Sequence, residues 1–148
     1  MSDLATRYIV DCDAEPSVPD GLKVKKHKKD GQLQLDLSKV KLHLSSYQQN
    51  GRVIEGNKLR KELESEPVLN ANVLDDLFAH QELIPEDWKY DTKSNTRRHI
   101  FFWGTIYRDS SDDLYVRFLC WSDGAWHWSY CWLNSNWCGF DPATVLAS

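Results

Sequence analysis

Cysteine and histidine are the residue types with the widest range of chemistry in this 148-residue chain, which contains four cysteines and five histidines. His127 and Cys131 lie four residues apart, and only Cys120 and Cys138 are further plausible donors near them. Structural zinc sites use recognisable pairs such as Cys-x-x-Cys, and these four residues do not form one. The spacing therefore predicts no metal site, and no other motif indicates a cofactor.

Nucleophilic or acid–base catalysis would be another use of such side chains. Cys120 is expected opposite His127 in a hairpin, but such a pair on a core-facing strand is more often packing than chemistry. Asp75 and Asp76 are adjacent on a predicted helix, so they point in different directions and are interpreted as solvated. The chain has no phosphate-binding glycine loop, Gly-x-Ser-x-Gly or His-Glu-x-x-His motif. No catalytic residue is predicted, and these patterns favour a binding protein over an enzyme.

Tryptophan is the unusual component of the sequence, because six of its seven tryptophans lie in the last third of the chain. Tryptophan, tyrosine and arginine dominate the energetics of protein interfaces. Aromatic rings also stack on nucleic-acid bases, which contributes about 1–3 kcal/mol per base. The candidate binding residues of this region are Trp103, Arg117, Trp121, Trp126, Trp128, Tyr130, Trp132 and Trp137.

Three predicted strands position these residues, over about 99–108, 114–121 and 126–133. Asp123-Gly124 favours a two-residue type I′ turn, because both of its positions need a positive φ. That turn places Trp121 opposite Trp126 and continues along the hairpin. The further expected pairs are Leu119 with Trp128, Arg117 with Tyr130, Tyr115 with Trp132, Arg108 with Leu114, Tyr107 with Tyr115 and Trp103 with Leu119.

Alternation along these strands assigns the aromatic residues to one sheet face with Arg117 at its centre. Phe101 and Trp103 belong to this face, and Ile100 and Phe102 to the opposite one, which could pack against the helices. Two interpretations remain open. The N-terminal hairpins cover the aromatic face and make it core, or part of it stays exposed as a binding platform. We expect an intermediate arrangement, with a buried centre and exposed ends at Trp126, Trp132 and Trp137.

The rest of the chain predicts an α+β fold in a single domain, 1–148. Residues 1–51 alternate apolar and polar side chains and contain the turn Asp30-Gly31, which predicts N-terminal β-hairpins. Residues 56–88 predict a helical pair that Asn57 and Asn70 could cap. The strands within 99–133 predict an antiparallel Trp-rich meander, and Asp141-Pro142 suggests a short terminal helix over 141–147.

Charge is segregated along the chain, whose formal net charge is −4. Residues 22–61 contain eleven Lys/Arg and three Asp/Glu, a net of +8, and the other residues carry −12. A basic segment can bind phosphate groups, and it can equally protect an edge strand from aggregation. The nucleic-acid alternative uses Lys25, Lys26, Lys28, Lys29, Arg97 and Arg98.

Compartment can also be inferred from the sequence. No apolar run approaches the roughly 18 residues of a membrane-spanning helix, so we expect no membrane span. The first residues, MSDLATRYIVDCDAE, lack the basic and apolar regions of a secretory signal. We therefore expect a cytoplasmic protein with reduced cysteines.

Two segments carry a resemblance to known sequences: VLNANVLDDLFAHQELIPEDWK at residues 68–89 and IFFWGTIYRDSSDDLYVRFLCW at residues 100–121. Together they resemble a family of short, uncharacterised bacterial proteins over a little over half the chain. The resemblance implies a bacterial or mobile-element setting in the cytoplasm. Because that family has no established activity, it implies no site residues.

These observations lead to three functional hypotheses. The first is a non-enzymatic adaptor or inhibitor that engages a protein partner through part of the Trp-rich sheet face. The alternatives are nucleic-acid binding through residues 22–61, and sugar or small-ligand binding on the aromatic face. The sequence does not indicate the oligomeric state.

Overall fold

The computed structural model describes residues 8–147 and has a mixed α+β fold with a mostly antiparallel, curled sheet. Residues 1–7 of the expected N-terminal hairpin region and residue 148 lie outside the described part. Two α-helices occur within it, α1 (Gly56–Leu63) and α2 (Ala71–Ala79). The strands are β1 (Tyr8–Asp11), β2 (Lys23–His27), β3 (Gln32–Leu35), β4 (Val40–His43), β5 (Ile54–Glu55), β6 (Ile100–Phe101), β7 (Thr105–Arg108), β8 (Leu114–Ser122), β9 (Ala125–Trp132), β10 (Asn136–Trp137) and β11 (Ala143–Leu146).

Strand β8 organises a sheet of seven strands. It pairs with β9 along one side, and with β7 and then β6 along the other. Outside these, β2 pairs with β7, while β11 runs parallel to β6 and antiparallel to β4. Two smaller sheets, β1–β3 and β5–β10, each contain two strands. The edges of the main sheet are therefore β2, β4 and β9.

The pairing of β8 with β9 follows the register expected from the Asp123-Gly124 turn. Both turn residues have a positive φ, 53° and 77°, as a type I′ turn requires. The expected partners Trp121 and Trp126 are opposite each other, and the pairing continues to Tyr115 and Trp132. The register between β7 and β8 also agrees with the prediction.

The predicted continuous strand over 99–108 is wrong, because the chain leaves the sheet between β6 and β7. Ile100 is opposite Leu119, so Trp103 does not occupy that position. This offset reverses the expected faces: Phe101 now packs against Phe118, on the side away from Arg117. The interruption results from contacts with distant segments, since the N–H of Gly104 donates to the C=O of Leu69 and its C=O accepts from the N–H of Lys28.

The expected hairpin around Asp30-Gly31 does not form. Strand β2 pairs with β7, and β3 pairs with β1. The connecting residues bind elsewhere, since the N–H of Lys28 donates to Gly104 and the C=O of Gly31 accepts from Cys12. The chain therefore moves from the main sheet into a separate two-stranded sheet at this turn.

Only one of the two predicted helix caps forms. Asn70 caps α2 as predicted, and its side-chain oxygen accepts hydrogen bonds from the N–H groups of Asn72 and Val73. Asn57 does not cap α1, because it lies inside the helix and donates to Glu55 and Asn134 instead. Glu55 holds the N-cap position of α1 without a side-chain capping bond.

The predicted terminal helix over 141–147 is also wrong, because β11 occupies this segment. Its residues Ala143–Leu146 pair with β4, and the N–H of Leu146 donates to Pro67. Thr144 and Val145 are β-branched and favour a strand where a neighbouring edge is open. The carboxylate of Asp141 instead accepts the N–H of Cys138, in the turn before the strand.

The main sheet separates two apolar clusters. Helix α2 covers one face, where Leu74 and Leu77 pack with Leu119. Helix α1 covers the other face, where Leu59 and Leu63 pack with the cluster that includes Val116 and Trp137. The helices therefore lie on opposite faces, which differs from the expected packing of both against one face. None of the helices in residues 8–147 has the length and apolar character needed to span a membrane.

Candidate binding site on the edge strand β9

The structure divides the C-terminal tryptophans into buried and exposed groups. Trp103, Trp126 and Trp137 are only 4%, 5% and 1% exposed. Trp128 and Trp132 are 38% and 44% exposed. The expected exposure of Trp132 is confirmed, whereas that of Trp126 and Trp137 is wrong. Trp121 is half-buried, and the ammonium of Lys89 lies 3.7 Å from the centroid of its ring.

Trp126 and Trp137 are buried by elements distant in sequence, which the alternation of residues around each tryptophan does not predict. Trp126 packs with the α2 cluster and makes an edge contact with Trp121, with ring centroids 5.6 Å apart. Trp137 lies on the α1 side, 5.3 Å from the ring centroids of both Phe101 and Trp103. These two indoles are core residues and cannot contact a partner in this structure.

Three aromatic residues remain accessible along the outer half of β9. Trp128, Tyr130 and Trp132 alternate along the strand and therefore project on the same side of the sheet. Tyr130 is 38% exposed and contacts Tyr115 edge to face, with ring centroids 5.4 Å apart. We call this set, Trp128, Tyr130 and Trp132, the β9 aromatic face.

Arg117 lies beneath this face and is fixed in position by helix α2. Its two terminal nitrogens donate to the two carboxylate oxygens of Asp75, at 2.9 and 3.1 Å. The side chain of Arg117 is only 2% exposed, and that of Asp75 is 31% exposed. The guanidinium carbon is 4.2 Å from the centroid of the Trp128 ring, which is within cation–π distance. The ion pair therefore orients Trp128 on the strand.

A cleft opens beside Trp128 with a volume of about 380 Å³. Asp75 and Arg117 form its inner wall, and the loop 17–20 forms the opposite side. The hydroxyl of Tyr107 donates to the C=O of Ser17 at 2.8 Å and fastens this loop to the sheet. The cleft thus presents an indole, two carboxylates and the backbone of an extended loop.

The backbone of β9 offers further binding groups at the sheet edge. In a two-residue hairpin the closing pair Ser122–Ala125 is hydrogen-bonded, and hydrogen-bonded pairs then recur at every second position. The intervening residues of β9 direct their N–H and C=O groups away from β8. These residues are Trp126, Trp128, Tyr130 and Trp132, and β9 has no partner on that side within residues 8–147.

Three thiols, those of Cys120, Cys131 and Cys138, lie on or near β9 and its neighbour β8. Cys120 is opposite His127 as predicted, but the Nε2 atom of His127 contacts the C=O of Ser122. Burial raises the pKa of Cys120, and it also raises those of Cys131 and Cys138. A raised pKa reduces the thiolate fraction on which nucleophilic attack depends. No cluster of three or more metal-ligating side chains occurs in the described part of the chain.

The basic residues of the nucleic-acid alternative divide between two places. Lys25 and Lys26 lie on β2, and Lys28 and Lys29 follow it, where the N–H of Lys28 donates to the C=O of Gly104 just before β7. Arg97 and Arg98 precede β6, which pairs with Phe118 and Leu119 of β8. Arg98 is engaged locally, since it donates to the C=O of Asp87 and pairs with Asp91 at 3.6 Å. The six residues therefore form two groups, one at β2 and the other before β6.

Two features of the site could not be identified from the candidate residues. Asp75, expected to be solvated, is the partner of Arg117, and the loop 17–20 lines the cleft beside Trp128. The presence of an arginine amid aromatic residues was the available signal, because a buried guanidinium needs a carboxylate partner. Asp76 likewise is partly buried, and desolvation raises its pKa.

Comparison of the chain with protein-family models, curated proteins and solved structures gives no significant match.

Proposed function

We propose that this chain is a non-enzymatic binding protein, of adaptor or inhibitor type, that engages a protein partner through the β9 aromatic face. One observation carries the proposal. Three large aromatic side chains are exposed at alternate positions of an edge strand, although the fold buries the nearby tryptophans Trp103, Trp126 and Trp137. An exposed aromatic patch on a folded chain is a common mark of an interaction site.

The chemistry of the face supports a protein partner. Tryptophan and tyrosine bury a large area and lose few rotatable bonds on binding, which suits the centre of an interface. Strand β9 has no formally charged residue. A partner can therefore cover the strand without the energetic cost of removing a charged side chain from water. The surrounding surface supplies a polar rim, with Asp20 and Asp75 on the Trp128 side.

The face is also organised before binding. The Arg117–Asp75 pair supports Trp128 from below, and the Tyr115 hydroxyl donates to Asp109 at 2.9 Å beside Tyr130. Side chains that are already ordered lose less entropy in a complex, about 0.5–1.5 kcal/mol for each rotamer-rich side chain that would otherwise be immobilised. This organisation favours a defined partner over non-specific adhesion.

Site-specific photo-crosslinking in the native cell tests this proposal. A benzophenone amino acid replaces Trp132 in one variant and the exposed Tyr47, which lies outside β9, in a control. We expect position 132 to crosslink to a discrete protein other than a second copy of this chain, and this product should disappear when Trp128→Ala is added. No crosslink from position 132, or the same products from position 47, contradicts the proposal.

The cellular setting is part of the same proposal. We place the interaction in the bacterial cytoplasm, and the four cysteines, all of which are free thiols, support a reducing compartment. Fractionation of the source cells followed by immunodetection tests this placement. Recovery of the protein outside the cytoplasmic fraction contradicts it.

A second candidate function is supported by the cleft beside Trp128. Its indole and the carboxylates of Asp20 and Asp75 are groups that bind sugar hydroxyls through stacking and hydrogen bonds. Titration of the protein with a panel of mono- and disaccharides, followed by tryptophan fluorescence, tests this function. A saturable change that Trp128→Phe reduces supports it, and an unchanged spectrum across the panel excludes these ligands.

A further inference from the structure

We propose that β9 pairs with β9 of a second copy of this chain, so that two main sheets join into one continuous sheet across a two-fold axis. This inference goes beyond the proposed partner binding, because it uses the backbone edge of β9 and not its aromatic side chains. It can fail while the β9 aromatic face still binds a partner.

The unpaired backbone of β9 is the first support. Trp126, Trp128, Tyr130 and Trp132 direct their N–H and C=O groups to the open side, as the register with β8 requires. The C=O of Trp132 already accepts from Ser135, and the other outward groups have no backbone partner within residues 8–147. A row of such groups is a template for another strand.

The other two edges of the sheet provide an internal comparison. Strand β2 presents Lys23, Lys25 and Lys26 as exposed side chains and contains a bulge after Val24. Strand β4 has four residues and exposes Lys41. Lysine, bulges and short length are the features that keep edge strands from pairing. Strand β9 has eight residues and no lysine, bulge or proline, so it is the edge left open to pairing.

The sequence of β9 is compatible with itself in one antiparallel register. A two-fold axis perpendicular to the sheet places the same face of both copies on the same side of the joined sheet. The even-numbered residues of β9 share one face, so each must be opposite an even-numbered residue of the second copy. With the axis at Ser129, Trp128 is opposite Tyr130 of the second copy, and Trp126 is opposite Trp132. The outward N–H and C=O groups then form the hydrogen-bonded pairs, and Ser129 meets its own equivalent at a non-hydrogen-bonded position.

A second copy fits this edge better than a charged peptide. The strand contains only Ala, Trp, His, Ser, Tyr and Cys, and a neutral strand placed against its own copy creates no like-charge repulsion. The pairing leaves the β9 aromatic faces of the two copies side by side. The dimer thereby doubles the aromatic surface available to a partner.

Charge substitution at the two-fold axis tests this pairing. Ser129 is exposed, so Ser129→Lys and Ser129→Glu each place like charges opposite each other at the centre of the dimer. Light scattering coupled to size exclusion should show a dimer for the natural chain, monomers for each variant alone and a restored dimer for their mixture. Ser111→Lys, in an exposed turn, is the matched control and should remain dimeric.

Amide hydrogen exchange followed by NMR keeps the test independent of the folding of any variant. The natural chain should gain protection with rising concentration at the N–H groups of Trp126, Trp128, Tyr130 and Trp132. The alternate amides of β9, which already bond to β8, should be protected at every concentration. A natural chain that stays monomeric at its highest attainable concentration overturns the proposal, and so does a dimer that both Ser129 variants retain.

Discussion

Arg117 and Asp75 join the centre of the sheet to helix α2 through two hydrogen bonds of 2.9 and 3.1 Å. The arginine is buried, while the carboxylate keeps about a third of its exposure. Because the pair lies directly below Trp128, it connects the interior of the fold to the β9 aromatic face. Its loss should affect stability and surface geometry together.

Asp75→Ala leaves the buried guanidinium without its partner. Removal of one member of a buried pair costs about 3–5 kcal/mol, and the partial exposure of Asp75 reduces this to about 2–3 kcal/mol. Urea unfolding should show this loss in the free energy of unfolding. The control is Asp112→Asn, which removes the charge of the exposed pair with Arg108, tolerates the positive φ of 64° at this position and should cost less than about 1 kcal/mol. Equal losses from the two variants contradict the assigned role of Asp75.

Trp126 and Trp132 should respond differently to the same truncation. Trp126→Ala opens a cavity in the α2 cluster and should lower the free energy of unfolding by about 3–5 kcal/mol. Trp132→Ala removes a side chain that is already 44% exposed and should cost no more than about 1 kcal/mol. Thermal and urea unfolding measure both. Comparable losses would mean that Trp132 is also a core residue.

Gly104→Ala tests the close approach that interrupts the strand between β6 and β7. A Cβ atom at this position meets the Cα and Cβ atoms of Asn70 at 2.7 and 2.8 Å, so the cap of α2 must move. Overpacking of this kind typically costs about 1–3 kcal/mol, which unfolding experiments resolve. Gly139→Ala is the milder control, because its nearest neighbour is the C=O of Gln48 at 3.1 Å. A neutral Gly104→Ala contradicts the described contact.

Asp76 and Asp36 should give opposite pH dependences of stability. Burial raises the pKa of Asp76, so its stabilising contribution is full below the unfolded pKa of about 4 and is lost as pH rises through the folded value. Hydrogen bonds from Ser38 lower the pKa of Asp36, so its contribution is present above about pH 4 and is lost as pH falls through the folded value.

Substitution of each carboxyl isolates these contributions. Relative to the natural chain, Asp76→Asn should become more stable as pH increases from about 3 to 7, and Asp36→Asn should become less stable over that range. Urea unfolding at a series of pH values measures both curves. Parallel curves for the two variants contradict the assigned directions.

The predictable part of this fold is the part governed by adjacent residues. The Asp123-Gly124 turn specifies its own conformation, and alternation then carries the register from Trp121 to Tyr115. Asn70 is similarly local, because a cap needs only the first turn of its helix. These features do not depend on distant segments, which is why the sequence predicts them.

The features that sequence did not predict depend on contacts between distant segments. The interruption after β6 requires Asn70 to lie against Gly104, and the strand β11 requires the open side of β4. The exposure of each tryptophan likewise depends on which distant elements pack over it. Helix α2 reaches Trp126 but leaves Trp132 exposed, and no pattern within β9 distinguishes these two residues.

Radical footprinting of the aromatic side chains, in the native cell and on the purified protein, is the most direct test of the β9 aromatic face as a contact surface. In the purified protein, Trp128, Tyr130 and Trp132 should be oxidised readily and Trp103, Trp126 and Trp137 should be protected. In the cell, the first three should become protected, while the exposed Tyr47 and Tyr90 remain unchanged. Equal oxidation of the β9 aromatic face in both settings would contradict its role as a contact surface.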